Sequence, residues 1–308
     1  MTKPKIIFMG TPEFAVPALE VIHTKYGISA VVTVPDKPKG RGLKLIPSPV
    51  KEKALELGIE VMQPEKLKDE ALIDRIKSIS PDIIVVIAFR ILPRELYSIP
   101  KIASFNIHGS LLPKYRGAAP INHAVMNGET RTGLTSFILQ DKVDTGEMLL
   151  TSEVEITESM TAGELHDMLM PMAADLSIST IKMLFEGNFM PQIQDESLAC
   201  PAPKLTKENT IINWDLPAEK IYNFIRGLSP HPTAWTIING EQHKILGSEK
   251  LDTNFLDAGN YTIEKKKFIV GTAYGDLSIK HIQPPNKKAM LINDFLNGFR
   301  GNKEGKLE

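Results

Sequence analysis

Lys5-Ile6-Ile7-Phe8-Met9-Gly10-Thr11-Pro12-Glu13 opens the chain with an apolar run, a glycine and then a helical pattern that reaches about Lys25. A short strand without polar alternation is covered on both faces, and a helix directly after it is the first half of a parallel crossover. The same pattern recurs downstream. Residues 29–34 are a second β-rich run and Ile83-Ile84-Val85-Val86-Ile87-Ala88 a third, the latter preceded by helical patterns over 51–57 and 70–78. Residues 104–108 and 132–139 add strands, with a short helix over 121–127 between them. The fold class is therefore α/β, a Rossmann-like, doubly wound, mostly parallel sheet that binds ligands at the C-terminal ends of its strands. The turn after the first strand offers one glycine, Gly10, where a dinucleotide pyrophosphate needs three, which argues against a nicotinamide or flavin cofactor there.

At 308 residues, 42% hydrophobic and 24% charged, the chain has ordinary globular composition and length enough for two domains. The opening residues run straight into a five-residue strand with no signal-peptide core and no membrane span is expected, so a cytoplasmic protein is expected. A lone Cys200 excludes an internal disulfide and a thiolate-rich metal site, and its proline-rich, uncharged surroundings give no reason for a reactive thiolate. There is no Cys pair, no His-Glu-x-x-His, no Gly-x-Ser-x-Gly elbow and no P-loop, so no metal is expected.

Thr161-Ala162-Gly163-Glu164 is a capping box that opens one long helix ending at Gly187. Residues 189–205 carry Pro191, Pro201 and Pro203 without periodicity and read as a linker between a domain over 1–188 and another over 206–308. The second domain has a helix over 216–227 and short β-like runs at 234–238, 243–246, 261–262, 267–270 and 276–282, the pattern of a small, OB-like β-barrel. The net charge of −1 hides a modestly basic C-terminal third, with 15 Lys and Arg against 12 Asp and Glu from residue 204 onward. Lys265, Lys266, Lys267, Lys287, Lys288, Arg300 and Lys303 are either a solvated face or a phosphate-facing one.

The chemistry gathers in Ser104-Phe105-Asn106-Ile107-His108-Gly109-Ser110-Leu111-Leu112-Pro113-Lys114-Tyr115-Arg116-Gly117. Alternation along its first half points Asn106 and His108 out of one strand face, and Gly109 and Pro113 turn the rest into a loop. An amide can donate to a developing oxyanion, and an imidazole can carry a proton. No nucleophilic side chain accompanies them. Asp144, in a loop closed by Gly146, is either an ordinary turn aspartate or the orienting partner of His108, and spacing leaves both open. His23, His123 and His166 have no acid or amide partner at a telling spacing and read as structural. The long loop over 35–49, with Lys37, Lys39, Arg41 and Lys44 among prolines and glycines, is either solvated surface or a reach into a polyanion.

These residues carry a resemblance. Phe8-Met9-Gly10-Thr11-Pro12-Glu13-Phe14-Ala15, the loop over 35–51, Asn106-Ile107-His108-Gly109-Ser110-Leu111-Leu112-Pro113, Asp144-Thr145-Gly146-Glu147-Met148 and Arg226-Gly227-Leu228-Ser229-Pro230-His231-Pro232 together resemble the methionyl-tRNA formyltransferases, over nearly the whole chain. The resemblance implies 10-formyltetrahydrofolate as formyl donor and the α-amine of methionyl initiator tRNA as the nucleophile, which accounts for its absence from the protein. It implies Asn106, His108 and Asp144 as the catalytic set. Folate would lie against Ser110, Leu111, Leu112 and Pro113, with Arg90 and Leu92 at the pterin end. Arg41, Lys39 and Lys44 would meet the acceptor end of the tRNA, the basic C-terminal domain its backbone. Ala88-Phe89-Arg90-Ile91-Leu92-Pro93 departs from the family by one missing residue at that pterin border. A monomer is expected, since no extended apolar stripe is left over. A small-molecule amine or water as the acceptor would make a different formyltransferase or a formyltetrahydrofolate hydrolase; the basic loop and the C-terminal domain favour RNA.

Overall fold

The computed structural model describes residues 3–39 and 44–307 and divides the chain into two compact units. The first unit gathers residues 1–117, 132–154 and 166–201, and the second gathers 118–131, 155–165 and 202–308.

The first unit is built on seven strands: Ile6–Gly10 (β1), Ala30–Val32 (β2), Val61–Met62 (β3), Ile83–Ile87 (β4), Ala103–His108 (β5), Arg131–Ile138 (β6) and Met148–Glu155 (β7). Their order across the sheet is β7-β6-β5-β4-β1-β2-β3, with β5, β4, β1, β2 and β3 parallel to one another and β6 antiparallel to β5. Every residue of β1 and β4 is buried, as continuous apolar runs require of central parallel strands. The helices Val16–Tyr26 (α1), Pro49–Glu56 (α2), Glu70–Ile79 (α3) and Arg94–Tyr97 (α4) alternate with these strands. Ser48 caps α2 by accepting the Lys51 N–H at 3.1 Å, and Asp69 caps α3 by accepting the Ala71 N–H at 2.8 Å. Gly10 ends β1 in a space where a Cβ would stand 2.8 Å from the Phe8 ring and 3.1 Å from the Ile87 carbonyl, so only glycine lets the chain turn there.

Among the elements absent from the sequence reading are a hairpin and an edge strand. The expected irregular loop over 35–49 holds a small antiparallel hairpin, Lys37–Lys39 with Lys44–Ile46. Its base is tied down by Asp36, which accepts from Lys51 Nζ at 2.7 Å and from Gln63 Nε2 at 2.7 Å. The other is β7, an edge strand whose outward residues alternate between exposed and half-buried.

Pro120–Met126 (α5) and Ala162–Glu186 (α6) follow. The capping box is formed as expected: Glu164 N–H donates to Thr161 Oγ1 at 3.2 Å and Thr161 N–H to Glu164 Oε2 at 2.8 Å. The helix α6 is long and apolar enough to cross a membrane, by length and composition only. Its stripe of Leu169, Ala173, Leu176, Ile181 and Leu184 is buried, and Thr180 Oγ1 donates to Ser136 Oγ on β6 at 2.9 Å, which makes it a core helix of the first unit.

The second unit holds Ala218–Leu228 (α7), Ile292–Asn297 (α8) and the strands Ala234–Ile238 (β8), Glu241–Leu251 (β9), Asn260–Glu264 (β10), Lys267–Gly271 (β11), Asp276–Gln283 (β12), Met290–Leu291 (β13) and Glu304–Lys306 (β14). The order is β8-β9-β12-β11-β10-β14, with β13 beside β12 and every pairing antiparallel. A register shift at Gly247 bends β9, and the sheet curls into a half-barrel around Ile245, Tyr261, Phe268, Val270, Leu277 and Ile279. Leu228 and Ile225 of α7 close that core.

Candidate active site

The C-terminal end of β5 carries the first two candidate residues. Pairing of Asn106 with Val86 and Phe137, and of His108 with Thr135, fixes both side chains on one face. Asn106 is half-buried, and its Oδ1 is buried without a hydrogen-bond partner among the described residues. Leaving such an acceptor unpaired costs about 1–3 kcal/mol, so the position suits a polar group that arrives with a ligand.

His108 is 5% exposed. Its Nε2 lies 2.8 Å from the Tyr115 carbonyl, which can only accept, so Nε2 carries a hydrogen and the neutral ring keeps its lone pair on Nδ1. Nδ1 lies 3.7 Å from Asp144 Oδ2. The structure thus brings Asp144 to His108 across the 36 positions that separate them. Asp144 is itself set in the left-handed region at φ +54°, and its Oδ2 accepts the Gly117 N–H at 2.9 Å. Gly146 closes the same turn where a Cβ would stand 1.6 Å from the Ile138 carbonyl. The Phe137 ring meets the imidazole edge-on, with centroids 6.4 Å apart.

The loop after His108 is locked by Thr135, directly across the sheet. Thr135 Oγ1 donates to the Ser110 carbonyl at 2.8 Å and accepts the Leu112 N–H at 3.0 Å, while Ser110 Oγ donates to the Lys114 carbonyl at 2.6 Å. Ser110, Leu112 and Pro113 are buried and Leu111 half-buried. Tyr115 follows at φ +61°, and its N–H donates to Cys200 Sγ at 3.3 Å. Cys200 therefore helps hold the loop that carries the His108 partner.

The other expected residues lie as follows. The Arg90 guanidinium donates to the Pro64 and Glu65 carbonyls at 2.9 and 3.0 Å and stacks on Phe89, while its Nε is buried with no partner among the described residues. Burial pushes its pKa down. Leu92 is buried in the cluster of Ile7, Met9, Ile76, Ile84 and Val86. Arg41 lies outside the described residues, and Lys39 and Lys44 are described only as paired backbone in the hairpin. Among the described residues no group of three or more His, Cys, Asp and Glu could hold a metal ion. His23 accepts the Ile28 N–H, His123 bonds the Pro203 carbonyl, and His166 pairs with Asp167 against the Phe14 ring.

Sequence reasoning missed two groups of this site. The Tyr115 carbonyl is backbone and leaves no composition signal. Gln194, 5% exposed, lies in the stretch read as a linker: its Nε2 donates to the Asp144 and Gly146 carbonyls, and its Oε1 accepts from Arg116. A single polar residue in a proline-rich stretch without periodicity gave no cue to burial.

Comparison with known proteins bears on the whole chain. Residues 4–181 match the formyl transferase family and residues 204–300 the formyl transferase C-terminal domain. Methionyl-tRNA formyltransferase of Clostridium perfringens (strain 13 / Type A) is 46% identical over 298 residues, 96% of each chain. The protein of the same name from Flavobacterium johnsoniae is 41% identical over 314 residues, all of both chains. Among solved structures, the sugar 3N-formyl transferase WlaRD, crystallised in the presence of dTDP and 5-N-formyl-THF, superposes with a TM-score of 0.66 at 22% identity over 94% of this chain and 100% of that one. HypX from Aquifex aeolicus, in complex with tetrahydrofolic acid, gives 0.62 at 14% identity over 96% of this chain and 47% of that one. At those identities the likeness is one of fold.

Proposed function

The chain belongs to the formyl transferase family, among the methionyl-tRNA formyltransferases, and from that premise we propose that it moves the formyl group of 10-formyltetrahydrofolate onto the free amino group of methionyl initiator tRNA. The observation that carries the reading is the convergence at the end of β5. An amide whose Oδ1 has no partner among the described residues, a histidine with a hydrogen on Nε2 and a carboxylate meet there with no nucleophilic side chain among them, as suits a reaction whose nucleophile is the acceptor's own amine.

The bound folate supplies the carbon that is transferred. Asn106 holds its amide on the transferred carbonyl oxygen, where negative charge develops; rotation about χ2 presents its NH₂ to that oxygen. His108, when protonated at Nδ1, stabilises the same charge and passes that proton towards the leaving nitrogen, while its Nε2–H stays on the Tyr115 carbonyl. Asp144 offsets the positive ring from 3.7 Å and takes the proton that the amine loses, directly or through water. Ser110, Leu111, Leu112 and Pro113 border the folate, with Arg90 and Leu92 at the pterin end. Arg41, Lys39 and Lys44 engage the acceptor end of the tRNA, and the half-barrel engages its backbone. Along the sequence we assign the catalytic domain to 1–188, the connecting segment to 189–205 and the tRNA-binding domain to 206–308, while 118–131 and 155–165 pack with the second compact unit and 189–201 with the first. The protein acts as a cytoplasmic monomer without metal or membrane.

The test runs formyl transfer from 10-formyltetrahydrofolate with methionyl initiator tRNA, with free methionine, and with no acceptor. Formylation of the tRNA alone is the expected result. Formate release without an acceptor would make the protein a hydrolase, and no reaction with the tRNA would leave a small amine as the acceptor.

A further inference from the structure

Gln194 uses its full hydrogen-bonding capacity on two loops that both end at His108. Its Nε2 donates to the Asp144 carbonyl at 2.9 Å and to the Gly146 carbonyl at 2.7 Å. Its Oε1 accepts from Arg116 Nε at 3.0 Å and from Arg116 Nη2 at 2.7 Å. The remaining edge of the Arg116 guanidinium makes a bidentate pair with Glu196, at 2.9 Å to each carboxylate oxygen, and that pairing holds the Glu196 carboxyl below the usual carboxylate range. Both loops contribute to the catalytic pair. The loop of Arg116 brings the Tyr115 carbonyl to His108 Nε2 and the Gly117 N–H to Asp144 Oδ2. The loop of Gly146 brings the Asp144 carboxylate itself.

We infer that Gln194, seated on an Arg116 that Glu196 holds in place, is a positioning residue that sets the His108–Asp144 separation. The physical case rests on strain and stiffness. Tyr115 and Asp144 both stand at positive φ, at +61° and +54°, which side-chain-bearing residues adopt only when their surroundings over-determine them. Gln194 touches the strained turn of Asp144 directly and that of Tyr115 through Arg116. It is buried, so water does not compete for its four bonds. Removing it takes the donor from the Asp144 and Gly146 carbonyls and the acceptor from a guanidinium edge, and frees both loops to relax. A displacement of the order of 1 Å between two catalytic groups lowers turnover by roughly 10²-fold without touching the surfaces that bind substrates.

The inference rests on His108 and Asp144 as the catalytic pair, and its test separates the two claims. Gln194→Met keeps the length and removes every hydrogen bond. Gln194→Glu keeps the acceptors that face Arg116 and sets an oxygen against the Asp144 and Gly146 carbonyls in place of the donors; the denaturation midpoint of each variant identifies the folded one, on which the kinetics are read. In both variants kcat should fall roughly 10- to 100-fold, with KM for 10-formyltetrahydrofolate and for methionyl-tRNA each within about twofold of the parent. Side-chain ¹⁵N NMR on histidine-labelled protein reads the same change without catalysis: the His108 Nε2–H signal, held in the parent by Tyr115, should broaden or move, while the His23 and His243 signals stay. An unchanged His108 signal, unchanged kcat, or a loss confined to KM would overturn the positioning role. A parent enzyme that does not formylate the tRNA while Gln194 variants still move the His108 signal would overturn the reaction and leave the brace standing.

Discussion

The Tyr115 carbonyl accepts the Nε2–H of His108 at 2.8 Å, from a backbone held at φ +61°. A backbone acceptor cannot change protonation state, so it keeps a hydrogen on Nε2 and reserves Nδ1 for the Asp144 side. A glutamine at position 108 can still reach that carbonyl but holds no mobile proton. His108→Gln should therefore fold normally and lose roughly 10²- to 10⁴-fold in kcat, read by single-turnover formyl transfer.

Asp144→Asn tests the charge rather than the shape. The asparagine oxygen can still accept the Gly117 N–H, so the turn should survive. What it loses is the negative charge 3.7 Å from Nδ1. Turnover should drop about 10²-fold or more with tetrahydrofolate affinity kept within about twofold. Near-normal turnover would make Asp144 a turn residue.

Gly146→Ala forces a methyl group to within 1.6 Å of the Ile138 carbonyl, which cannot move without opening the β6 end of the sheet. Overpacking of this kind should destabilise the first unit by about 3 kcal/mol, measured as a lowered denaturation midpoint, and take activity down with it.

Asp82 gives a pH dependence with a definite sign. The Lys5 backbone N–H donates to it at 2.8 Å and Lys101 lies at 3.3 Å; the first of these chiefly, and the second, hold its carboxyl below the ordinary range. Since the folded value is the lower one, its contribution is complete above an unfolded value of about 3.9 and vanishes as pH falls through the folded value. Asp82→Asn should flatten the loss of stability below about pH 4 in urea titrations. A slope equal to that of the parent would remove Asp82 from the acid response.

Arg41→Ala should weaken the use of charged tRNA, seen as a raised KM for methionyl-tRNA whose excess over the parent shrinks as salt rises, and leave tetrahydrofolate binding as it is. An unchanged KM for the tRNA would return the loop over 35–49 to plain surface.

How far the sequence could be read follows from what kind of signal each feature leaves. β1 and β4 were legible because strands buried on both faces are unbroken apolar runs, and the α6 start because a capping box is local chemistry. β7 escaped because Met148-Leu149-Leu150-Thr151-Ser152-Glu153-Val154-Glu155 is an edge strand with no fully buried residue, so its polar second half carries little apolar signal. Asn106 and His108 were legible from two-residue spacing on one strand. Their surroundings were not: a carbonyl from Tyr115 and an amide from Gln194 are brought in by loops whose course is set by tertiary contacts. Resemblance supplied Asp144, which spacing had left undecided between a turn and a partner.

The partition of the chain has a practical result for anyone wishing to dissect the protein. Helix α5, encoded between β5 and β6, packs with α7: Asn122 Nδ2 donates to the Gly227 carbonyl at 2.8 Å, and a Cβ at Gly227 would collide with Met126. Residues 155–165 likewise join the second unit, where the Arg226 guanidinium holds the Met160 carbonyl at 2.8 Å. No single scission of the polypeptide yields the two units as separate fragments. A truncation after residue 201 strands α5 without the helix it was made for, and a fragment starting at 202 lacks the segments that seal its own core, so complementation by two co-expressed pieces should succeed where either piece alone aggregates.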